Sequence, residues 1–140
     1  MTSFEDVNID DELEPLDRTP TEDDALRFMG QDPATKSRFS DSATAQREGF
    51  RGAVVPGLMK LAWITSYASD WAGEGATVRS VRVAYRRPDF AGNPLMIAGR
   101  VVDKREEEGH RLVDLEVVTV MEDGQPSVRG NVQVEFDPQA

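Results

Sequence analysis

The 140-residue chain has no cysteine and a single histidine, His110. Without cysteine it has no means of forming a disulfide scaffold, a thiol nucleophile or a cysteine-based zinc site. One histidine also excludes a metal site built from several histidines, and we predict neither a metal site nor a cofactor. The length suits one domain with a substantial hydrophobic core, so we expect a single domain over residues 1–140.

An excess of positive charge is also missing, because the chain has 16 Lys and Arg against 26 Asp and Glu. Nucleic acids and anionic membranes bind clustered basic residues, so the acidic balance argues against both as partners. The acids are concentrated in residues 1–24, which contain ten acids and one base. We interpret residues 1–18 as an acidic N-terminal arm that forms a solvated edge; the alternative is a tail that docks a partner.

Long apolar runs are absent too. The most apolar stretch, residues 53–71, contains Lys60 and Asp70, whereas a membrane span needs about 20 predominantly apolar residues. The N-terminus has neither the basic nor the apolar segment of a signal peptide. We therefore expect a cytoplasmic protein.

Helix signals occur in the first half of the chain. Thr21 is a good cap for a helix that ends at Gly30, and Asp41 or Ser42 is a good cap for a short helix over Ser42–Glu48. Pro56 and Gly57 open the main helix, which ends near Gly73. This helix is apolar on nearly all sides, which predicts burial on nearly all sides.

Strand signals fill the last 65 residues. Apolar and polar residues alternate over residues 81–85, 113–121 and 128–136, and residues 95–103 form a less regular strand. Short turns between them predict an antiparallel meander of four strands. The fold class is therefore α+β, with a curved antiparallel sheet wrapped around one long central helix.

Three segments carry a family resemblance: FEDVNIDDELEPLDRTPTEDDALRF, RFSDSATAQREGFRGAVVPGLM and DWAGEGATVRSVRVAYRRPDFAGNPLMIAGRVV. Together they resemble the MaoC-like acyl dehydratases and (R)-specific enoyl-CoA hydratases, which have the hotdog fold. The resemblance implies a homodimer or dimer-based oligomer that binds an acyl-CoA or carrier-protein thioester. It also implies that a backbone N–H at Gly57 holds the thioester oxygen, and that Phe39, Val55 and Pro56 line the substrate site.

In active members an Asp and a His on the loop after the first helix handle the proton and the water. Here the Asp position falls on Ala34 and the His position on Phe39, or on Ser40 in a variant register. Adding water to an enoyl thioester needs a base and an acid. We name Asp41 and Ser40 as candidate catalytic residues, with Asp41 either activating Ser40 or acting alone with a pKa raised by desolvation. The alternative is that Asp41 only caps a helix.

Basic residues lie around this loop, and CoA carries phosphates that arginine binds well. Arg38 and Arg51 are the candidate CoA-binding residues, and Arg86-Arg87 forms a second candidate patch; scattered surface charge is the alternative. His110 follows an acidic run in a hairpin turn, where we expect it to be solvated. Trp63, Tyr67 and Trp71 are expected either to fill the core or to line an acyl tunnel.

Three functions stay open. The chain is a hydratase or dehydratase with an altered acid/base set, a non-catalytic subunit whose partner is a hotdog chain with the full Asp/His pair, or an acyl-CoA thioesterase. Asp70 is the acid that the thioesterase alternative offers, at the far end of the central helix.

Overall fold

The computed structural model describes residues 2–138. A short 3₁₀ turn, Phe4–Asp6, precedes three α-helices and five strands. The elements follow in chain order: β1 Glu12–Arg18, α1 Glu22–Met29, α2 Ser42–Arg47, α3 Gly57–Ala72, β2 Ala76–Tyr85, β3 Leu95–Glu107, β4 His110–Met121 and β5 Pro126–Phe136. None of the helices within these residues combines the length and apolarity needed to cross a membrane.

The five strands form one antiparallel sheet in the order β1-β3-β4-β5-β2. The predicted meander is confirmed for β3, β4 and β5. The prediction of four strands in sequence order is wrong for β2, which pairs with β5 at the opposite side of the sheet from β1. The segment between β2 and β3 instead runs past the start of α3, where Phe90 bridges to Val54.

The acidic arm is more structured than a solvated edge. It contains β1, which pairs with β3 and shows an irregular register between Leu13 and Leu16. Phe4, Val7 and Leu13 are buried, while the acidic side chains of β1 are exposed. The sequence pattern hides this strand because only one of its seven side chains points into the core.

Helix α3 packs on one face of the sheet, against β2, β4 and β5. Its bounds match the prediction, with Pro56 at the N-cap and Gly73 at the C-cap. The expectation of burial on nearly all sides is wrong for this chain alone, because Leu58 is 68% exposed and Ser66, Ser69 and Asp70 are exposed. The predicted core role of the aromatic residues is confirmed for Trp63 and Tyr67, which belong to the main core.

Two links tie α3 to β1. The Tyr67 hydroxyl donates a hydrogen bond to the Glu14 carbonyl at 2.7 Å, and the Arg18 guanidinium lies 5.2 Å from the centre of the Trp63 ring. Burial raises the pKa of Tyr67. Strand β1 therefore helps to hold α3 in place.

The two short helices begin as their caps predict. Thr21 and Asp24 form a reciprocal capping box at α1, which ends at Gly30 in the left-handed conformation. Asp41 caps α2 through the Thr44 N–H. The only difference is that α2 ends at Arg47, one residue before the predicted boundary.

We predict that Ile64→Ala lowers the free energy of unfolding by about 2–5 kcal/mol, because Ile64 is fully buried at the centre of α3. Urea unfolding measures the change. Ser66→Ala, on the exposed side of the same helix, is the control and should change stability by less than about 0.5 kcal/mol. Equal losses in the two variants would contradict this placement of the core.

Candidate functional site

The candidate site lies at the start of α3, where the chain is held on two sides. The Val54 N–H donates to the Arg38 carbonyl at 2.8 Å, and the Val55 N–H donates to the Asp89 carbonyl at 2.8 Å. Val55 and Pro56 are buried. These contacts fix the backbone that leads into Gly57.

Two N–H groups of the first turn of α3 lack acceptors. The Pro56 carbonyl accepts from the N–H groups of Met59 and Lys60, at 3.1 and 3.2 Å. Among residues 2–138 no acceptor contacts the N–H of Gly57 or Leu58. The first N–H groups of a helix are unpaired within the helix and carry partial positive charge, so this pair is available to an oxygen atom of a ligand.

A buried ion pair supports this turn. Lys60 Nζ lies 3.1 Å from Asp89 Oδ2, and the two side chains are only 3% and 5% exposed. The same ammonium donates to the Arg87 carbonyl at 3.3 Å. It thereby ties the first turn of α3 to the segment that follows β2.

A depression of about 340 Å³ opens beside the free N–H groups. The Tyr85 hydroxyl donates to the Gly57 carbonyl at 2.8 Å, although half of the tyrosine side chain is exposed. Lys60 also lies 5.9 Å from the centre of the Tyr85 ring. The depression is lined by Val54, Val55, Gly57, Lys60, Tyr85, Arg86, Arg87 and Pro88.

Ser40 holds its own loop closed. Its buried hydroxyl donates to the Thr35 carbonyl at 3.2 Å, contacts the Ser37 hydroxyl at 3.2 Å and accepts from the Ser37 N–H at 3.3 Å. Within residues 2–138 no carboxylate contacts this hydroxyl, so the structure does not bring Ser40 and the Asp41 side chain together as a nucleophile and its base.

The Asp41 carboxylate is engaged as a helix cap. Asp41 Oδ2 accepts from the Thr44 N–H at 3.0 Å and from the Thr44 hydroxyl at 2.6 Å. These hydrogen bonds, with smaller contributions from Lys36 and Arg47, lower the pKa of Asp41. The expectation that desolvation raises the pKa of Asp41 is therefore wrong. A lowered pKa makes this carboxylate a weaker base.

Ala34 and Phe39, to which the resemblance assigns the Asp and the His, carry no group that transfers a proton. Ala34 is exposed, and its N–H donates to Asp32 Oδ1 at 2.7 Å. Phe39 is half-buried, with the Arg38 guanidinium 6.0 Å from the centre of its ring. Phe39 therefore presents an apolar surface at one of the two positions to which the resemblance assigns the histidine.

The arginines proposed for CoA have partners within the chain. Arg38 pairs with Glu48 at 2.6 Å and also lies 5.8 Å from the centre of the Phe50 ring. Arg51 is exposed and lies over Phe90 at 5.0 Å. It borders a separate depression of about 390 Å³. Of the two, Arg51 is the one that has no acidic partner in the part of the chain that the structure describes.

Two further candidates lie away from the site. His110 begins β4 and its Nδ1 contacts Glu135 Oε2 at 2.5 Å, so the sole histidine is an exposed residue of the β3–β4 hairpin. Asp70 is 13 residues along α3 from Gly57, which corresponds to about 20 Å along the helix axis. Neither side chain is within reach of the start of α3.

Sequence reasoning did not identify the pairing of Lys60 with Asp89 or the contact of Tyr85 with Gly57. A lysine four residues into a helix that is otherwise apolar was the available signal, because burial of lysine requires a partner. Its partner is 29 residues away in sequence and has no periodic pattern that would indicate it.

We predict that Lys60→Met lowers the free energy of unfolding by about 3–5 kcal/mol, because it leaves the Asp89 carboxylate buried and unpaired. The double variant Lys60→Met/Asp89→Leu should recover at least half of the loss. Urea unfolding of the native chain, Lys60→Met, Asp89→Leu and the double variant completes a double-mutant cycle. Additive losses would show that the two side chains are not coupled.

We predict that Asp41→Ala lowers the urea midpoint at pH 7. Because the folded-state pKa of Asp41 is lowered, its contribution is full above the unfolded value of 3.8 and is lost as pH falls through the folded value. The difference between native and variant midpoints should therefore shrink below about pH 4. Asp70→Ala is the matched control, and a pH-independent difference would contradict the capping role.

In comparisons with known proteins, no family model and no curated sequence matches the chain. Solved structures match it over nearly its whole length. A chain of the ChsH1–ChsH2 complex from Mycobacterium tuberculosis is 19% identical with a TM-score of 0.79, over 92% of this chain and 98% of that chain.

The (R)-hydratase from A. caviae, involved in PHA biosynthesis, is 16% identical with a TM-score of 0.81, over 94% of this chain and 98% of that chain. A MaoC-like dehydratase from Rhodospirillum rubrum is 16% identical with a TM-score of 0.77, over 95% of this chain and 94% of that chain. With its antiparallel sheet against one central helix, the chain has the hotdog fold that these MaoC-like dehydratases and (R)-hydratases share.

Proposed function

We propose that this chain binds an acyl thioester, with the thioester carbonyl oxygen accepting hydrogen bonds from the N–H groups of Gly57 and Leu58. The observation that carries the proposal is the pair of N–H groups without acceptors at the start of α3, beside a depression. The positive end of the helix dipole favours a carbonyl oxygen and, more strongly, the negative charge that develops on it in an enolate.

The side chains around this turn suit binding better than proton transfer. Lys60 is already paired with Asp89, and the Asp41 carboxylate is engaged by Thr44. Water addition to a 2-enoyl thioester needs both a base for the water and an acid for the α-carbon. We therefore propose that the chain alone binds the thioester without adding or removing water, and that a hotdog subunit with the full Asp/His pair completes the site.

Two observations support association with a second subunit. One chain of the ChsH1–ChsH2 complex and one chain of the HadBC (3R)-hydroxyacyl-ACP dehydratase complex, both from Mycobacterium tuberculosis, have folds similar to this one. Strand β2 lies at an edge of the sheet and is paired on one side only, by β5. An unpaired edge is a surface on which a second sheet can add.

Two alternatives, a hydratase that acts alone as a homodimer and a thioesterase, depend on particular residues of this chain. A homodimer built through the same edge would leave the site with Asp41 and Ser40 as its only candidate catalytic residues. Thioester hydrolysis would need an acid near Gly57, which Asp70 does not supply. The hydratase is the stronger alternative of the two. Its candidate residues Asp41 and Ser40 lie on the loop whose Arg38 carbonyl accepts a hydrogen bond from Val54, next to the start of α3.

We predict no chemical change when the purified chain is incubated in heavy water with saturated, 2-enoyl and 3-hydroxyacyl-CoA thioesters that it binds. Mass spectrometry follows water gained or lost, CoA released and α-hydrogen exchanged for deuterium. Water gain or loss would overturn the non-catalytic role and make Asp41→Asn and Ser40→Ala the next variants. Release of CoA alone would indicate a thioesterase.

We predict that Gly57→Pro weakens binding of butyryl-CoA about tenfold relative to Gly57→Ala, because proline removes one N–H of the pair. Proline is tolerated at the first position of a helix, and Pro56 has the extended ψ of 135° that a following proline requires. Both variants add a Cβ that lies 3.3 Å from the Tyr85 ring, so Gly57→Ala reports the effect of the Cβ with the N–H retained.

Isothermal titration calorimetry measures both affinities, and circular dichroism checks that both variants fold. Equal affinities for the two variants would show that the Gly57 N–H does not contact the ligand.

A further inference from the structure

Three arginines lie near one another at one end of β2: Arg82 and Arg129 are on the sheet face opposite α3, because they alternate with the core-facing Val83 and Val128, and Arg86 follows the strand. Arg82 lies on β2, and Arg86 follows the end of that strand with its N–H bonded to the Ser127 carbonyl at 2.8 Å. Arg129 on β5 is paired in register with Ala84, midway between them. Residues two apart on a strand share a face, so the three side chains border one surface. We call Arg82, Arg86 and Arg129 the arginine triad.

The arginine triad has no partner within residues 2–138. Arg79, on the same strand as Arg82, pairs with Glu135 at 3.5 Å, and Arg87 pairs with Asp123 at 3.9 Å. With the described residues 2–138, the side chains of the triad make no ion pair or hydrogen bond. The depression that they line also includes the carboxylate of Glu116, which pairs with Arg100 at 3.6 Å. Three neighbouring like charges on one sheet face repel one another unless an anion lies between them.

A depression of about 260 Å³ lies between these arginines. Its lining includes all three members of the triad, together with Glu116 and Asn131. Arg86 borders both this depression and the one beside Gly57. The triad therefore adjoins the candidate carbonyl site, and Arg82 lies about 13 Å further along the strand than Arg86.

We infer that the arginine triad binds the phosphate groups of the CoA that carries the acyl group. This inference rests on the proposed function for the acyl end of the ligand. The pantetheine arm of CoA separates the thioester from a diphosphate and a 3′-phosphate, and arginine binds phosphates through two parallel hydrogen bonds. The chain as a whole is acidic, so an anionic ligand needs a local basic surface of this kind.

The test uses three probes and two variants of the full chain. Butyryl-CoA probes both ends of the ligand, S-butyryl pantetheine probes only the acyl end, and adenosine 3′,5′-bisphosphate probes only the phosphate end. The variant Arg82→Gln/Arg129→Gln removes two members of the triad. The variant Arg79→Gln/Arg100→Gln is the matched control, because it removes two paired arginines and the same net charge.

We expect the triad variant to bind butyryl-CoA and adenosine 3′,5′-bisphosphate at least about tenfold more weakly than the native chain, with unchanged affinity for S-butyryl pantetheine. The control variant should retain affinity for all three probes. Calorimetry at fixed ionic strength measures each dissociation constant.

The inference is overturned if the native chain does not bind the bisphosphate, or if the control variant loses as much affinity as the triad variant. A native chain that binds the bisphosphate through the triad but does not bind S-butyryl pantetheine would overturn the proposed carbonyl site and leave the phosphate site standing. If S-butyryl pantetheine binds and the phosphates contribute nothing, the phosphate site is overturned and the carbonyl site stands. That result would indicate a carrier other than CoA.

Discussion

The close packing of α3 on the sheet is the constraint on which the rest of this structure depends. Ile64, Ala68 and Tyr67 are buried against the strands. At Gly99 on β3 the packing is tight, because a Cβ would lie 3.3 Å from the Tyr67 ring and 3.2 Å from the Glu116 carbonyl. The absence of a side chain at Gly99 lets Tyr67 of α3 pack closely on the sheet, and this packing positions the helix that carries the N–H groups of the first turn.

The candidate site follows from this arrangement. Once α3 is seated, its first turn meets the segment after β2, and the buried pair of Lys60 and Asp89 joins the two. Tyr85 adds a hydrogen bond to the Gly57 carbonyl from the edge strand. A carbonyl site made of backbone N–H groups needs no particular side chain to survive, only a helix start that does not move. The proposed thioester site therefore does not depend on Ala34 and Phe39, the positions to which the resemblance assigns the Asp and the His.

Much of this fold was predictable, for reasons visible in particular residues. Pro56, Gly57 and Gly73 mark the ends of α3, and strict alternation marks β4 and β5, since each buries one face. Strand β1 lacks this signal because Leu13 is its one buried residue. The order of the strands was not predictable, because the pairing of β2 with β5 depends on a connection that passes the start of α3.

The site was less predictable than the fold. The helix start at Gly57 could be placed from the sequence, and so could the capping position of Asp41. The Lys60–Asp89 pair and the arginine triad required the three-dimensional register, since their members lie on elements that are distant in sequence. In both cases the charged side chains are brought together by contacts between distant parts of the chain, and such contacts produce no periodic pattern in the sequence.

The most direct test of the carbonyl site is the infrared difference spectrum of butyryl-CoA labelled with ¹³C at the thioester carbonyl, bound to the native chain. Hydrogen bonding from Gly57 and Leu58 would shift the labelled carbonyl stretch below its position in water, and Gly57→Pro would reverse part of the shift. A bound carbonyl with an unshifted stretch, unaffected by Gly57→Pro, would contradict the account.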